Sequence, residues 1–290
     1  MNVLIAVDQS EASLAVLQEA AARPWPAGAR FEVLNVVEPA HLWVIASTVE
    51  EAIQSSAVFV ERAAGDLRIR GLEATGISLP GDPKRVILDR AKETQADFIF
   101  VGSQGVSALA RFLTGSVASG VVRYAACSVE IVRARQGKAP GIHKILLATD
   151  GSASSDRAAQ SIADRPWGQG TEIEVLSVVE LALPTTQALL EPPYVESEQL
   201  EAQRAEAMQR AQSAVTSAAQ ILSKTFPRVG ESISVLVTGP KAVITEEADR
   251  IGADLIVVGS HGHRGIERFM LGSVSEGVAL HAHGSVEVIR

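Results

Sequence analysis

Two stretches carry residues whose type and spacing could do chemistry. Val101–Val122 reads VGSQGVSALARFLTGSVASGVV, and Val258–Ala279 reads VGSHGHRGIERFMLGSVSEGVA. In the first, Gly102 and Gly105 stand three apart, nine residues follow, and then come Gly115 and Ser116. Gly259, Gly262, Gly272 and Ser273 repeat that spacing. Glycine lets a backbone turn tightly and lets a ligand approach with no Cβ in the way. A Gly-Ser pair that opens a helix adds a hydroxyl, unpaired N–H groups and the positive end of the helix dipole. The chemistry this suits is the holding of an anion such as a phosphate. Any single glycine here is explained by a turn. The three-part pattern, written twice at one spacing, is not. Neither copy has the lysine of a P-loop. A dinucleotide fingerprint would follow a first strand, whereas these glycines follow a fourth.

A second pair of candidates is Asp8 and Asp150, each at the end of a first strand. A carboxylate there can accept hydrogen bonds from ribose hydroxyls, as the acidic residue of dinucleotide folds does. The plainer alternative is an N-cap of the following helix, a role for which Ser10 and Ser152 compete.

The whole chain is a tandem repeat. Residues 1–25 face 143–167, and FEVLNVVE (31–38) faces IEVLSVVE (173–180), both at an offset of 142. ADFIFVGS (96–103) faces ADLIVVGS (253–260) and CSVEIVR (127–133) faces GSVEVIR (284–290), now at 157. The second copy therefore carries 15 extra residues, which we assign to a proline-bearing loop at 181–198. Residues 1–135 and 143–290 are expected as two domains joined by a linker at 136–142.

Within a copy, short aliphatic runs alternate with helical stretches, as βαβαβαβαβ. One such stretch, near 82–95, opens on Asp82 as N-cap and Pro83 in the first turn. Strands apolar throughout mark a parallel sheet covered on both faces. The expected fold class is α/β. It comprises two tandem doubly wound domains, each an open five-stranded parallel sheet with helices on both faces. Ligands of such sheets bind beyond the carboxyl ends of the strands.

Composition narrows the function. Of 290 residues, 47% are hydrophobic and 21% charged, an ordinary globular balance. The net charge is −8, and neither half has a basic surplus, which disfavours nucleic acid. The start, MNVLIAVDQSE, reads as a first strand, and no apolar run has membrane length. The lone Cys127 forms no internal disulfide, and a cytoplasmic setting is the expectation.

G-x2-G-x9-G-S after the fourth strand, with Asp ending the first, resembles the universal stress protein family. The resemblance covers nearly the whole chain, once per half. It implies a Rossmann-like, adenine nucleotide-binding fold with bound ATP. It also implies that Asp8 and Asp150 contact the ribose and adenine side, and that Val36 and Val178 line the adenine pocket. Gly102 and Gly259 would pass the ribose. Gly105, Gly115 and Ser116, with Gly262, Gly272 and Ser273, would hold the phosphates. Mg²⁺ or Mn²⁺ would ride on phosphate oxygens and water, with no protein ligand set of its own. The last strands, SVEIVR and SVEVIR, read as edges. By resemblance they build a dimer, either between chains or between the halves of one chain. An unidentified protein partner is implied.

The two copies differ. Gln9 stands where the second has Gly151. Gln104, Val106 and Ser107 stand where the second has His261, His263 and Arg264. The second loop is the more cationic and should hold a triphosphate better, whereas the first should bind more weakly or prefer a less charged nucleotide; ADP and AMP are the alternatives to ATP. Enzyme readings find little support. His261-Gly-His263 follows the fourth strand, not the first as in nucleotidyltransferases, and His281 and His283 are expected at the surface. No nucleophile–base set emerges. Slow ATP hydrolysis or phosphotransfer, and a scaffold with vestigial sites, are the alternatives to a nucleotide-dependent regulator.

Overall fold

The computed structural model describes residues 1–38, 46–104, 114–134, 141–168, 170–180, 197–236, 239–262 and 271–290. Gly105, Val106, Ser107, His263 and Arg264 lie outside them, as do Arg135, 136–140 of the linker and 181–196 of the inserted loop.

The first half runs β1 (Asn2–Ala6), α1 (Glu11–Ala22), β2 (Arg30–Val37), α2 (Ala46–Ile69), β3 (Glu73–Pro80), α3 (Pro83–Glu93), β4 (Phe98–Gly102), α4 (Ser116–Tyr124) and β5 (Ser128–Val132). The second repeats it as β6 (Lys144–Ala148), α5 (Ala153–Ala163), β7 (Glu172–Glu180), α6 (Ser197–Leu222), β8 (Val229–Leu236), α7 (Pro240–Ile251), β9 (Leu255–Gly259), α8 (Ser273–His281) and β10 (Ser285–Ile289). Ser197 and Glu198, expected in the loop, open α6 instead. Asp82 caps α3 as expected: its Oδ1 accepts from the Arg85 N–H at 2.9 Å, with Pro83 in the first turn.

Each half is a five-stranded parallel sheet, and the two join into one ten-stranded sheet, β3-β2-β1-β4-β5-β10-β9-β6-β7-β8. Alternate residues of the central strands enter two different cores. Ile5, Phe100, Ile145 and Val257 pack under α1, α2, α5 and α6 with Val16, Leu67, Ile162 and Leu222. Leu4, Ile99, Leu146 and Ile256 pack under α3, α4, α7 and α8 with Ile87, Val121, Ile244 and Val278. Both cores run unbroken through both halves, as strands apolar on each face require.

Among the described residues the seam is the one antiparallel pairing. β5 and β10 lie side by side with Glu130 opposite Glu287. The last strands are therefore edges of their halves but not of the molecule, whose edges are β3 and β8. The pseudo-dimer forms within the chain, and these strands are consumed by each other.

Glu130 and Glu287 are fully buried. Two arginines meet them, each just past a helix end in a repeated Arg-Pro-Trp corner: Arg23 after α1 and Arg165 after α5. Arg165 grips Glu287 with both terminal nitrogens, Nη2 at 2.5 Å and Nη1 at 2.9 Å. Arg23 reaches Glu287 at 3.2 Å and pairs closely with Glu130. A third carboxylate, Glu19, has an oxygen 3.5 Å from the Arg23 guanidinium. The guanidinium carbons lie 5.1 Å from the Phe100 ring centre for Arg23 and 4.8 Å from the Trp167 ring centre for Arg165, so aromatic faces close the cluster.

Three carboxylates thus face two guanidiniums. Burial, reinforced by Glu287 and Glu19, pushes the Glu130 carboxyl up to about 8 against the pull of Arg23, and Glu130 carries the proton near neutrality. Glu287 is held below the ordinary carboxylate range against its own burial, by Arg165 first and then Arg23. The sign for stability follows. A folded-state value above the unfolded one stabilises below the ordinary carboxylate range and is lost as pH rises through the raised value. Glu287 acts only at lower pH. Denaturant unfolding between pH 5 and 8 should therefore show stability falling with pH, by at most about 1.4 kcal/mol per pH unit. Glu130→Gln should flatten that slope. An unchanged slope would assign the proton elsewhere.

Candidate functional site

The second half shows how the rim is assembled. Thr149 continues β6 by donating its N–H to Leu176 O at 2.9 Å, and Asp150 follows. The chain then turns at Gly151, whose φ of 78° lies in the left-handed region that glycine enters freely. Asp150 Oδ1 accepts from the Ser152 N–H at 3.0 Å. Ser152 is the N-cap of α5, and its hydroxyl also donates to His261 O at 3.2 Å. The turn after β6 is in this way tied to the turn after β9.

That second turn is tied back as well. Ser260 donates its N–H to Ile289 O at 2.8 Å, and Gly272 donates to Ser260 O at 2.8 Å. The Ser275 hydroxyl donates to Gly259 O at 2.6 Å. These bonds set the start of α8, at Gly272-Ser273, against the end of β9. Gly272 is the N-cap and no side chain caps the helix. The first-turn N–H groups have no intrahelical acceptor.

The glycines are there for close approach. A Cβ on Gly262 would stand 2.6 Å from Asp150 Oδ2, so the aspartate and the glycine loop touch. A Cβ on Gly272 would stand 3.3 Å from Ser260 O. Gly259 has a different neighbour: its Cβ would meet the Ser154 backbone carbon at 2.6 Å. Glycine there lets α5 lie directly on the end of β9. His261 sits in the rim with Nδ1 2.9 Å from the Ser260 hydroxyl, and its buried Nε2 finds no partner among the described residues.

The first half repeats the plan with changes. Gly115 caps α4 without a side-chain bond and donates its N–H to Ser103 O at 2.7 Å, which places Ser116 as Ser273 is placed. Asp8 is held by serines of its own loop. Its Oδ1 accepts from the Ser10 N–H at 3.0 Å, from the Ser13 hydroxyl at 2.8 Å and from the Ser10 hydroxyl. Ser10 stands at the N-cap but makes no capping bond, in contrast to Ser152. Among the described residues only Gln95 is a non-glycine with positive φ, so Gln9 does not adopt the Gly151 turn. Around Gly102 the fit is looser, with the nearest atom to a Cβ, Gln104 O, at 3.3 Å.

Val36 and Val178 lie half-buried near the ends of β2 and β7, as expected of them. Beside Val36 runs a polar chain that the motif does not contain. The Asn35 amide donates to Val7 O at 2.7 Å, the Ser56 hydroxyl donates to Asn35 Oδ1 at 2.6 Å, and the Ser78 hydroxyl donates to Ser56 at 2.6 Å. It holds the end of β1, and so Asp8, against β2. The signal for it in sequence is one polar residue inside an apolar run, VLNVV. The second copy has Ser177 there, with Ile233 opposite it on β8 where Ser78 stands opposite Asn35.

The remaining expected residues fall away from the rims. His281 Nδ1 lies 2.8 Å from Gly277 O, and His283 Nδ1 lies 2.7 Å from Asp249. Cys127 is partly buried, and burial pushes its thiol up to about 11. Among the described residues no group of His, Cys, Asp and Glu could hold a metal, and no helix is long and apolar enough to cross a membrane.

Fold and rim define a tandem α/β protein with an acidic turn and a helix start without a side-chain cap at the carboxyl end of each half-sheet. The profile of the universal stress protein family matches residues 1–133 and 141–290, and the chain belongs to that family. It is 31% identical over 196 residues to a universal stress protein of Mycobacterium tuberculosis, covering 65% of this chain and 59% of that one. It is 30% identical over 213 residues to one of Mycolicibacterium smegmatis, covering 71% of this chain and 65% of that one. The matched stretch thus spans less than two thirds of either relative. A universal stress protein of Archaeoglobus fulgidus superposes over 100% of this chain and 96% of its own, at TM-score 0.65 and 23% identity. A second neighbour, from Pseudomonas aeruginosa, superposes at TM-score 0.62 and 18% identity, over 99% of this chain and 92% of its own. At such identity the likeness concerns the fold.

The glycine contacts make a prediction that separates the halves. Gly259→Ala forces a Cβ into α5 backbone and should cost about 1–3 kcal/mol in denaturant unfolding, the range for overpacking. Gly102→Ala, with looser neighbours, should cost clearly less. Equal costs would mean that α5 and α1 approach their strands alike.

Proposed function

We propose that the chain binds an adenine nucleotide, ATP in preference, at the rim of each half, and that occupancy regulates a surface read by a protein partner. The observation that carries this is the contact of Asp150 with Gly262 beside the uncapped start of α8. In this reading the carboxylate would accept from ribose hydroxyls, and the first-turn N–H groups of α8 would face a phosphate. The residues fit the ligand: a Cβ at Gly262 or Gly272 would fill the approach, and none is present. In this reading Asp8 and Asp150 take the ribose side and Val36 and Val178 the base. Gly102 and Gly259 take the sugar edge. Gly105, Gly115, Ser116, Gly262, Gly272 and Ser273 take the phosphates. Mg²⁺ or Mn²⁺ would enter on the phosphates.

The two sites are unequal. Asp150 keeps a carboxylate oxygen against the glycine loop, whereas Asp8 is tied by two serines. With His263 and Arg264 in its loop, the second site is the tighter for ATP.

The test is titration calorimetry of the full chain with ATP, and mass spectrometry of nucleotide that co-purifies with it. ATP should bind with Kd below about 1 mM. At one hundred times Kd it should add about 2.7 kcal/mol of stability. Gly262→Val should weaken the second site by about tenfold or more and leave the first in place. If neither ATP nor ADP binds in that range, the reading fails.

A further inference from the structure

The helices that open on the two Gly-Ser pairs are joined to each other. α4 and α8 touch across the seam, and two links show that they run head to tail. At one end, the Thr114 hydroxyl, one residue before Gly115, donates to Leu280 O at 2.9 Å, near the end of α8. Arg133 locks the same corner: its Nη2 donates to Thr114 Oγ1 at 2.9 Å and to Ala279 O at 2.7 Å. At the other end, Arg123 in the last turn of α4 pairs with Glu276 in the first turn of α8. The start of each helix is held to the finish of the other.

These links are not copies of one another. Arg290 repeats Arg133, donating to Val122 O at 2.7 Å. Leu271 stands where Thr114 stands in the first copy and has no hydroxyl to give. Leu280 and Ser119 stand where Arg123 and Glu276 would repeat.

We propose that this pair couples the two nucleotide sites negatively, so that a nucleotide on one Gly-Ser rim weakens binding at the other. The proposal rests on the rims holding phosphate. A bound anion attracts a helix along its axis, toward the N-terminus. Packed helices at interfaces respond by small sliding shifts. Because α4 and α8 point in opposite directions and are joined at both ends, a slide that advances the start of α4 withdraws the start of α8. Each ligand prefers the opposite displacement of one shared element, which is the differential affinity that coupling requires.

The experiment separates coupling from inherent inequality. Stepwise ATP dissociation constants of the native full chain are compared with those of two single-site chains, Asp8→Asn and Asp150→Asn. For independent sites, the two native constants equal the two single-site constants. With coupling, the second native constant should be about fivefold weaker or more than that of the same site alone. Thr114→Val, or Glu276→Gln as a second cut at the other end, should bring the native constants back toward the single-site values. Equal constants, a tighter second step, or weakening that survives both cuts overturns the coupling while the nucleotide reading stands. An absence of ATP binding in every chain overturns both.

Discussion

The structure turns on two carboxylates that face each other in its interior. Glu130 and Glu287 are neighbours in the antiparallel ladder at the seam, and both are fully buried. Two carboxyl groups at that distance, out of water, cannot both stay charged; Glu130 keeps its proton, and the charge on Glu287 is tolerable only because cations reach it. The cations arrive from the exits of α1 and α5. Trp25 donates its ring N–H to Ala20 O at 2.7 Å and Trp167 donates to Ile162 O at 2.8 Å, which folds each Arg-Pro-Trp corner back on its own helix. That fold points Arg23 and Arg165 inward. A helix end in each half therefore supplies the charge that makes the joint sheet tolerable. A one-residue slip of β5 on β10 would turn one glutamate to the other face, among Ile131 and Val286. The cluster thus specifies register as much as it stabilises.

The seam also decides where the rims lie. Antiparallel pairing puts the carboxyl ends of the two half-sheets, and with them the two Gly-Ser helix starts, at opposite ends of one molecule. It lays α4 against α8 with their directions reversed. A parallel seam would have put both rims at one end with their helices side by side. The linked helix pair is thus a consequence of the same contact that makes the sheet continuous. Asymmetry enters at the seam too. Glu19 has no acidic counterpart in the second copy, which carries Ser161.

Much of this was legible in the sequence for physical reasons. Short aliphatic runs without alternation, rich in Val and Ile, fit strands covered on both faces, and the repeat meant that each element was read two times. The cap at Asp82 followed from residue type and position, whereas the choice between Asp150 and Ser152 was open until the structure gave it to Ser152. The glycine spacing located the rims because a missing Cβ is a local requirement. What stayed hidden was long-range. Glu130 and Glu287 sit in SVEIVR and SVEVIR, where a glutamate in a short last strand reads as the solvent face of an edge. Only the seam, which brings in two arginines distant in sequence, makes burial possible. Likewise Asn35, Ser56 and Ser78 come from three elements, and no spacing rule connects them. Thr114 lay in plain sight within the motif, but its partner is 166 residues away.

The glycines themselves divide into two kinds that spacing alone does not separate. Gly262 and Gly272 face rim atoms, namely the Asp150 carboxylate and Ser260 O, so their missing side chains let those atoms come close. Gly259 faces the Ser154 backbone, so its missing side chain lets a helix close onto a strand. Both follow from the lack of a Cβ, yet they act on different links of the chain from sequence to function. One draws the Asp150 turn and the start of α8 against the turn after β9, and the other sets how near α5 brings Ser152 and Ser154 to the His261 turn. The second use serves the first. With α5 held off by a Cβ, the bond from Ser152 to His261 O would lengthen, and the Asp150 turn would lose its tie to the loop it borders. The same logic makes the first half the looser of the two. At Gly102 the neighbours leave room, no capping bond comes from Ser10, and Asp8 turns toward its own serines. The repeat kept the glycines in both copies, but the helix lies closer on Gly259 than on Gly102.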